Sequence, residues 1–156
     1  KGVYFATLLI AFIFASVVPS IVSGISAEKN AVSQKEMDAL NWINEHTSND
    51  SVIISMVEEG ELISYIAGRA NVADTHFVLQ KDAEKRFRNI EKVYMSRFET
   101  EALGALQEYD VSYIYFSDAA RKTFGIDDLD YTKDTRCFEK KYDDGVSIFK
   151  VTCKLK

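Results

Sequence analysis

The chain has 156 residues, of which 47% are hydrophobic and 28% are charged, and its formal net charge is −5. All 24 acidic residues and all but one of the 19 basic residues follow Ala27. This acidic excess argues against nucleic acid and against general binding to anionic lipid surfaces. Residues 28–156 have the length of a single domain with one core, and no linker rich in proline, glycine or serine divides them.

The N-terminal segment from Gly2 to Ala27 contains no charged residue. A helix over this segment is about 39 Å long at ~1.5 Å per residue, which exceeds the ~30 Å hydrocarbon core of a bilayer. The small residues from Ser23 to Ala27 would also suit a signal-peptide cleavage site, although signal h-regions usually run ~7–15 residues. We therefore predict a retained transmembrane helix over residues 1–27, with a cleavable signal peptide as the alternative.

The orientation of the domain is indicated by Lys1, the only cation that flanks the apolar segment on its N-terminal side. The positive-inside rule then favours a cytoplasmic start and an extracytoplasmic domain. Asn49-Asp50-Ser51 is the only Asn-x-Ser/Thr sequon in the chain and lies in a polar segment. We expect Asn49 to be exposed and, in a glycosylating host, able to carry a glycan.

The rest of the chain alternates predicted helices and strands. A capping box from Ser33 to Glu36 begins a helix that ends in the polar run 47–50, and the continuous apolar run 51–57 predicts a central strand. A short helix over 61–67 stops at Gly68, and 71–73 is a second strand.

An apolar stripe over 81–94 predicts the next helix, and a second capping box, Ser96 to Glu99, begins another. The segments 112–116, 137–142 and 146–155 are predicted strands, the last two forming a hairpin around Asp143-Asp144-Gly145. Together they predict an α/β sandwich with a mixed sheet.

The two cysteines, Cys137 and Cys153, lie symmetrically about Gly145. The predicted hairpin could bring them face to face, and a disulfide is plausible outside the cytoplasm. The alternative is two independent small buried side chains.

A resemblance to a known family appears between Ala39 and Asp74. This part of the chain resembles the start of the extracytoplasmic C-terminal domain of the oligosaccharyltransferase catalytic subunit, in segments 39–47, 51–55, 65–69 and 72–74 and at Gly60 and Ile63. Segment 105–115 is similar to the later helix-to-strand unit of such domains. The resemblance implies that this chain is the tail of a longer membrane glycosyltransferase. It also implies that the catalytic acids, and any divalent metal, lie in the membrane portion outside this chain.

The resemblance places the acceptor-side residues after the first buried strand. Where the family has Trp-Trp-Asp-Tyr-Gly, this chain has Met56, Val57, Glu58, Glu59 and Gly60, and Met56 and Val57 donate no hydrogen bond. The family's second motif has a near match at Asp82 and Lys85, with Asn89 at its apolar position. The acceptor-side candidates are Glu58, Glu59, Gly60, Arg69 and Asp74. The implied partners are the bilayer, the membrane portion of the same polypeptide, a lipid-linked sugar and an acceptor polypeptide.

Other functions remain open on the residues alone. The acids Glu58, Glu59 and Asp74 could converge with His76 on a metal, although solvated loop residues are the simpler interpretation. The basic residues between Lys81 and Arg97 could contact lipid phosphate, or form a solvated helix face. Signatures of the main soluble enzymes are absent, so we expect no catalytic activity and no cofactor in this chain alone. The alternative functions are a membrane-anchored binding domain and a pilin-like subunit, neither of them enzymatic.

Overall fold

The computed structural model describes residues 4, 12–13, 15–16, 32–76, 79 and 82–155. The chain divides into two compact units, Lys1–Ser33 and Gln34–Lys156. In the first unit, residues 4, 12–13 and 15–16 are helical. Within the described ranges, no helix is both long enough and apolar enough to cross a bilayer. The transmembrane helix predicted over residues 1–27 lies largely outside the described residues.

The second unit contains helices and strands in alternation. Its α-helices are α1 (Gln34–His46), α2 (Gly60–Tyr65), α3 (Ala83–Met95), α4 (Glu99–Glu108) and α5 (Asp118–Phe124). Its strands are β1 (Val52–Ile54), β2 (Ala70–Asn71), β3 (Val111–Phe116), β4 (Phe138–Asp144) and β5 (Val146–Val151). Two 3-10 turns cover Val57–Glu59 and Asp130–Lys133. The predicted mixed α/β fold with a C-terminal hairpin is confirmed.

The five strands form one mixed sheet in the order β2-β1-β3-β5-β4. Strand β1 is parallel to both β2 and β3, while β5 is antiparallel to β3 and to β4. Successive side chains of a strand point to opposite faces, so Ile53 and Ile54, both fully buried, lie in different halves of the core.

Helices cover both faces of this sheet. On one face, Leu40 of α1 and Ile63 of α2 pack in the same cluster as Ile53. On the other face, apolar residues of α3, α4 and α5 pack in the same cluster as Ile54 and Phe116. The described part of the second unit is therefore a three-layer sandwich, an arrangement that buries both faces of a parallel pair.

Strand β1 is shorter than the apolar run that predicts it, and it lies beside the edge strand β2, whereas β3 occupies the predicted central position. Only Val52–Ile54 is paired, and the chain turns into the 3-10 turn at Val57 although Val57 is apolar. Ser55 donates its hydroxyl hydrogen to the Met56 carbonyl oxygen (2.9 Å), and Met56 and Val57 are buried in the core. The run stays apolar beyond the end of the strand because these residues are buried in the core. Periodicity alone does not distinguish a residue paired in a strand from a buried residue that follows it.

Two other local predictions differ from the structure. The capping box at Ser96 is wrong, because the Ser96 hydroxyl accepts the N–H of Phe98 (3.1 Å) and helix α4 begins only after Phe98. Helix α5 is absent from the predicted elements. Its signals are nonetheless present, since Ser117 caps its first turn and Gly125 ends it at φ +65°.

The hairpin at the C-terminal end of the chain carries the disulfide. Cys137 and Cys153 are bonded, with their Cα atoms 4.7 Å apart, so the predicted pairing is confirmed. Gly145 makes the turn at φ +72°, a conformation that favours glycine. Beyond the last ladder pair, the Thr152 N–H donates to the Cys137 carbonyl oxygen (2.9 Å), which holds the two cysteines in register.

Removing the bridge is expected to destabilise the domain. The double variant Cys137→Ser/Cys153→Ser should lower the free energy of unfolding by about 2–3 kcal/mol, because a loop of this size restricts the unfolded chain by ~3 kcal/mol and measured values often fall below that figure. Urea denaturation under non-reducing conditions measures the change. The reduced wild-type protein should match the variant, and an unchanged midpoint would contradict a structural role for the bridge.

Candidate functional site

The carboxyl ends of β1 and β3 meet at the middle of the sheet. The chain leaves β1 through α2 on one face of the sheet and leaves β3 through α5 on the other. The chain therefore leaves the two neighbouring strands in opposite directions, which opens a crevice where open α/β sheets place their ligands. Met56 to Gly60 follow β1 at this edge, and Ser117 follows β3.

A cavity of about 350 Å³ opens at this edge. Three of its lining residues are Met56, Val57 and Glu58, the positions that the resemblance aligns with the start of the acceptor motif. Among the described residues, helices α3 and α5 supply the other wall positions, which are Phe87, Ile90, Glu91, Met95, Thr123 and Phe124. Glu58 is exposed, so its carboxylate is available to a ligand. The cavity is therefore mainly apolar with acidic groups beside it.

Glu59 is buried next to Glu58, with 6% of its surface exposed. Its Oε2 accepts the Met56 N–H (3.3 Å), whereas its Oε1 has no hydrogen-bond partner among the described atoms. Burial raises the pKa of Glu59 to about 7, although the nearby Ser117 hydroxyl and the Met56 N–H oppose this change. The negative charges of Glu36 and Glu58 add to the increase. Glu59 is thus a carboxyl group that is only partly ionised near neutral pH.

Gly60 is the one motif position that keeps the family's residue. A Cβ atom at Gly60 would lie 2.1 Å from the Ala73 carbonyl oxygen and 2.8 Å from the Asp74 Cα atom. The Gly60 carbonyl oxygen also accepts a hydrogen bond from Asn71 Nδ2 (2.6 Å). Glycine is needed because the backbone after β2 passes directly over the start of α2.

Arg69 lies at the opposite edge of the sheet, immediately before β2. Its guanidinium donates to the Thr47 hydroxyl (2.9 Å) and to the carbonyl oxygens of Asn44, Thr47, Ala67 and Gly68. All five N–H donors of an arginine are therefore engaged. Arg69 joins the end of α1 to the loop before β2, and the structure does not bring it to Glu58.

Asp74 is bonded within its own turn, which follows β2. Its Oδ1 accepts the His76 N–H (2.9 Å), and the His76 ring is 3.3 Å from Glu61 Oε1. Thr75 also donates to Glu61. Within the described ranges, no three His, Cys, Asp or Glu side chains are grouped so that they could hold a metal ion. This cluster fixes the turn after β2.

The second motif-like segment faces away from the cavity. Asn89 is buried, and its Nδ2 donates to Glu108 (2.9 Å) and to the Tyr109 hydroxyl (3.3 Å) on and after α4. Lys85 forms an ion pair with the same glutamate, and Asp82 pairs with Arg86 (3.0 Å). This face of α3 therefore holds α4, while Phe87, Ile90 and Glu91 of the same helix line the cavity.

The basic cluster on α3 is largely neutralised within the domain. Lys85, Arg86 and Arg88 pair with Glu108, Asp82 and Glu84. Lys92 and Arg97 are exposed. A solvated, internally paired helix face is therefore a better description of Lys85 to Arg88 than a binding surface for lipid phosphate.

Asn49 lies in an exposed turn between α1 and β1. Its side chain is therefore on the surface of the domain, as a glycan acceptor must be.

Sequence reasoning missed the cavity wall contributed by α3 and α5. Phe87 and Met95 are large apolar side chains that are 44% and 61% exposed. On the sequence, Phe87 reads as part of the buried stripe of α3, because helical spacing cannot show which part of a stripe a neighbouring element covers. The Ser-Asp pair at 117–118 and Gly125 were the available signals for α5.

Comparison with known proteins shows the fold alone. No protein-family model and no curated protein matches the sequence. Among solved structures, the chain is similar to the C-terminal globular domain of an oligosaccharyltransferase (AfAglB-S2) from Archaeoglobus fulgidus, with a TM-score of 0.59 and 16% sequence identity. The match covers 78% of this chain and 99% of that chain. The chain therefore resembles, in fold, the C-terminal globular domain of that oligosaccharyltransferase.

Proposed function

We propose that this chain is the acceptor-side C-terminal domain of a polytopic membrane glycosyltransferase that uses a lipid-linked sugar. The observation that carries the proposal is the cavity at the carboxyl end of β1. Met56, Val57 and Glu58 line it, and these are the residues that align with the acceptor motif of the family. The fold likeness to an oligosaccharyltransferase domain supports the same assignment.

In this proposal the chain binds and positions, and the catalytic acids belong to the membrane portion. The cavity presents apolar walls and carboxylates, a combination suited to holding part of a polypeptide. Residues 1–27 form the last membrane helix, and residues 28–156 lie outside the cytoplasm. The disulfide supports that compartment, because such bonds persist mainly in oxidising environments.

The acceptor is held differently from the family's pattern. Met56 and Val57 offer apolar contact but no hydrogen-bond donor, so a hydroxyl side chain has no indole N–H to bind here. Glu58 is the remaining polar group of the motif at the cavity. We therefore assign the acceptor-binding role to Glu58 and the surrounding apolar wall.

Replacing Glu58 tests this function. In the full-length glycosyltransferase, Glu58→Gln should lower glycan transfer in membranes by about tenfold, because a charge-assisted hydrogen bond contributes ~1.5 kcal/mol or more. Its thermal stability should stay nearly unchanged, since exposed substitutions usually alter stability by less than ~0.5 kcal/mol.

The matched control is Glu45→Gln, which removes an exposed carboxylate from α1 and should leave transfer at the wild-type level. Unchanged transfer in Glu58→Gln together with lowered stability would oppose the proposal. Glu58 would then act only on the dipole of the following helical turns.

A further inference from the structure

The charged side chains that line the cavity are both acidic. They are Glu58, from the turn after β1, and Glu91, from α3. The other described lining residues are Thr123 and the apolar set already named, so none of the described residues in the wall is a lysine or an arginine. A ligand that enters the cavity therefore meets apolar surface and two carboxylates.

The sequence of α3 explains why Glu91 has no cation to pair with. Earlier on the helix, Asp82 pairs with Arg86 and Glu84 pairs with Arg88, each across four residues. The residues four before and four after Glu91 are Phe87 and Met95, which are apolar.

The cation three residues before Glu91 is Arg88, which already contacts Glu84. Arg88 and Lys92 line a neighbouring hollow together with Glu91, yet neither forms an ion pair with it. Neither Glu91 nor Glu58 has a hydrogen bond or ion pair with another described residue, whereas most acidic groups of the described surface do.

The surroundings of Glu58 strengthen the negative potential. Glu59, the next residue, is buried near Ser117 at the end of β3 and interacts with Glu58 as a like charge. A cation placed in the cavity would relieve this repulsion as well as pair with Glu58 and Glu91.

We infer that the cavity binds a lysine or arginine side chain of the acceptor polypeptide, an inference that rests on the proposed function. The aliphatic stem contacts Phe87, Met95 and Phe124, and the cationic head lies between the two carboxylates. Long basic side chains bury their stems on apolar surface while the charged end stays solvated or paired. The aromatic rings favour a guanidinium in particular, because arginine stacks on aromatic faces.

The shape of the cavity agrees with such an occupant. A volume of about 350 Å³ accommodates one long side chain with part of its backbone. Met56 and Met95 line it, and methionine adapts to different ligands because its side chain is unbranched and flexible. We therefore expect the cavity to select a positively charged side chain of the acceptor and to tolerate different residues on either side of it.

The experiment compares two peptides that differ only in charge. Short peptides, otherwise uncharged, carry either arginine or its neutral isostere citrulline at the centre, and fluorescence anisotropy measures their binding to this 156-residue chain. We expect arginine to bind about three- to tenfold more tightly at low salt, because ion pairs with exposed carboxylates contribute modestly to binding. The preference should shrink at 0.5 M salt.

Variants identify the source of the preference. Glu58→Gln/Glu91→Gln should abolish the preference while keeping the affinity for citrulline. The control Glu45→Gln/Glu139→Gln removes the same charge from exposed positions outside the cavity and should keep the preference. Equal binding of both peptides to the wild type, or the same preference in the Glu58/Glu91 variant, would overturn the inference.

Glycan transfer separates this inference from the proposed function. If the peptides bind equally but Glu58→Gln lowers transfer, the acceptor role stands and the choice of a basic side chain is wrong. If arginine is preferred but transfer is insensitive to Glu58→Gln, the cavity binds basic side chains and the acceptor role is wrong.

Discussion

Gly60→Ala is expected to lower the free energy of unfolding by about 3–5 kcal/mol, because its new methyl group would overlap the backbone. The Cβ atom would lie 2.1 Å from the Ala73 carbonyl oxygen, and backbone cannot move aside as a flexible side chain can. The displaced segments carry Glu58 on one side and Asp74 on the other. The substitution should therefore also distort the cavity.

Gly104→Ala is the matched control for Gly60→Ala. Gly104 lies within α4, and the nearest atom to an added Cβ is Leu155 Cδ1 at 3.8 Å, an ordinary contact. Alanine there should leave stability unchanged or raise it by up to ~1 kcal/mol, because alanine favours helix. Urea denaturation of both variants provides the test. Equal midpoints would show that the approach of residues 73–74 to Gly60 does not constrain the fold.

Glu59→Gln is expected to stabilise the domain above pH 7 and to have little effect below about pH 4.5. The pKa of Glu59 is raised from 4.5 to about 7 in the folded state. Between these values the folded chain holds a proton that the unfolded chain has released, so the stability present at low pH is lost as pH rises through about 7. The difference amounts to about 3 kcal/mol at ~1.4 kcal/mol per pKa unit. The Glu59→Gln variant has no group that ionises at this position, so its stability does not fall over this pH range.

The free energy of unfolding of both proteins, measured from pH 4 to 8.5, checks this expectation. Ser117→Ala is a second test of the same expectation. The Ser117 hydroxyl lowers the pKa of Glu59, so its removal should raise that pKa and move the loss of stability to higher pH. This variant also loses the cap of α5, which costs ~1 kcal/mol at every pH. Parallel profiles for wild type and Glu59→Gln would show that Glu59 titrates normally.

Gly60→Ala and Glu59→Gln are expected to change the free energy of unfolding in opposite directions, although the two residues are adjacent. Gly60 is the residue that the fold requires, whereas Glu59 destabilises the fold at neutral pH. A buried acid with a perturbed pKa beside a cavity is typical of functional sites. The cost of Glu59 is therefore understandable if its charge contributes to the potential around Glu58.

The sequence by itself determined the local elements of this domain. Helix α1 and the β4–β5 hairpin follow from signals within a few residues, namely apolar spacing and a glycine turn. The symmetry of Cys137 and Cys153 about Gly145 made a disulfide plausible, and the structure decided it against two independent cysteines. That Glu58 and Gly60 follow a buried strand was also readable, although the apolar run continues to Val57, beyond the end of β1 at Ile54. Such signals are local, since helix and turn preferences arise from neighbouring residues.

Tertiary structure alone decided which of those residues meet. Arg69 is near Gly60 in sequence, yet its donors bind the end of α1, because hydrogen-bond partners are set by packing and not by spacing. The same is true of Ser117, which lies beside Glu59 although 58 positions separate them in the chain. Phe87 and Glu91 line the cavity only because α3 crosses the sheet beside the end of β1. Long-range contacts of this kind leave no periodic trace in the sequence, and they determine the candidate site.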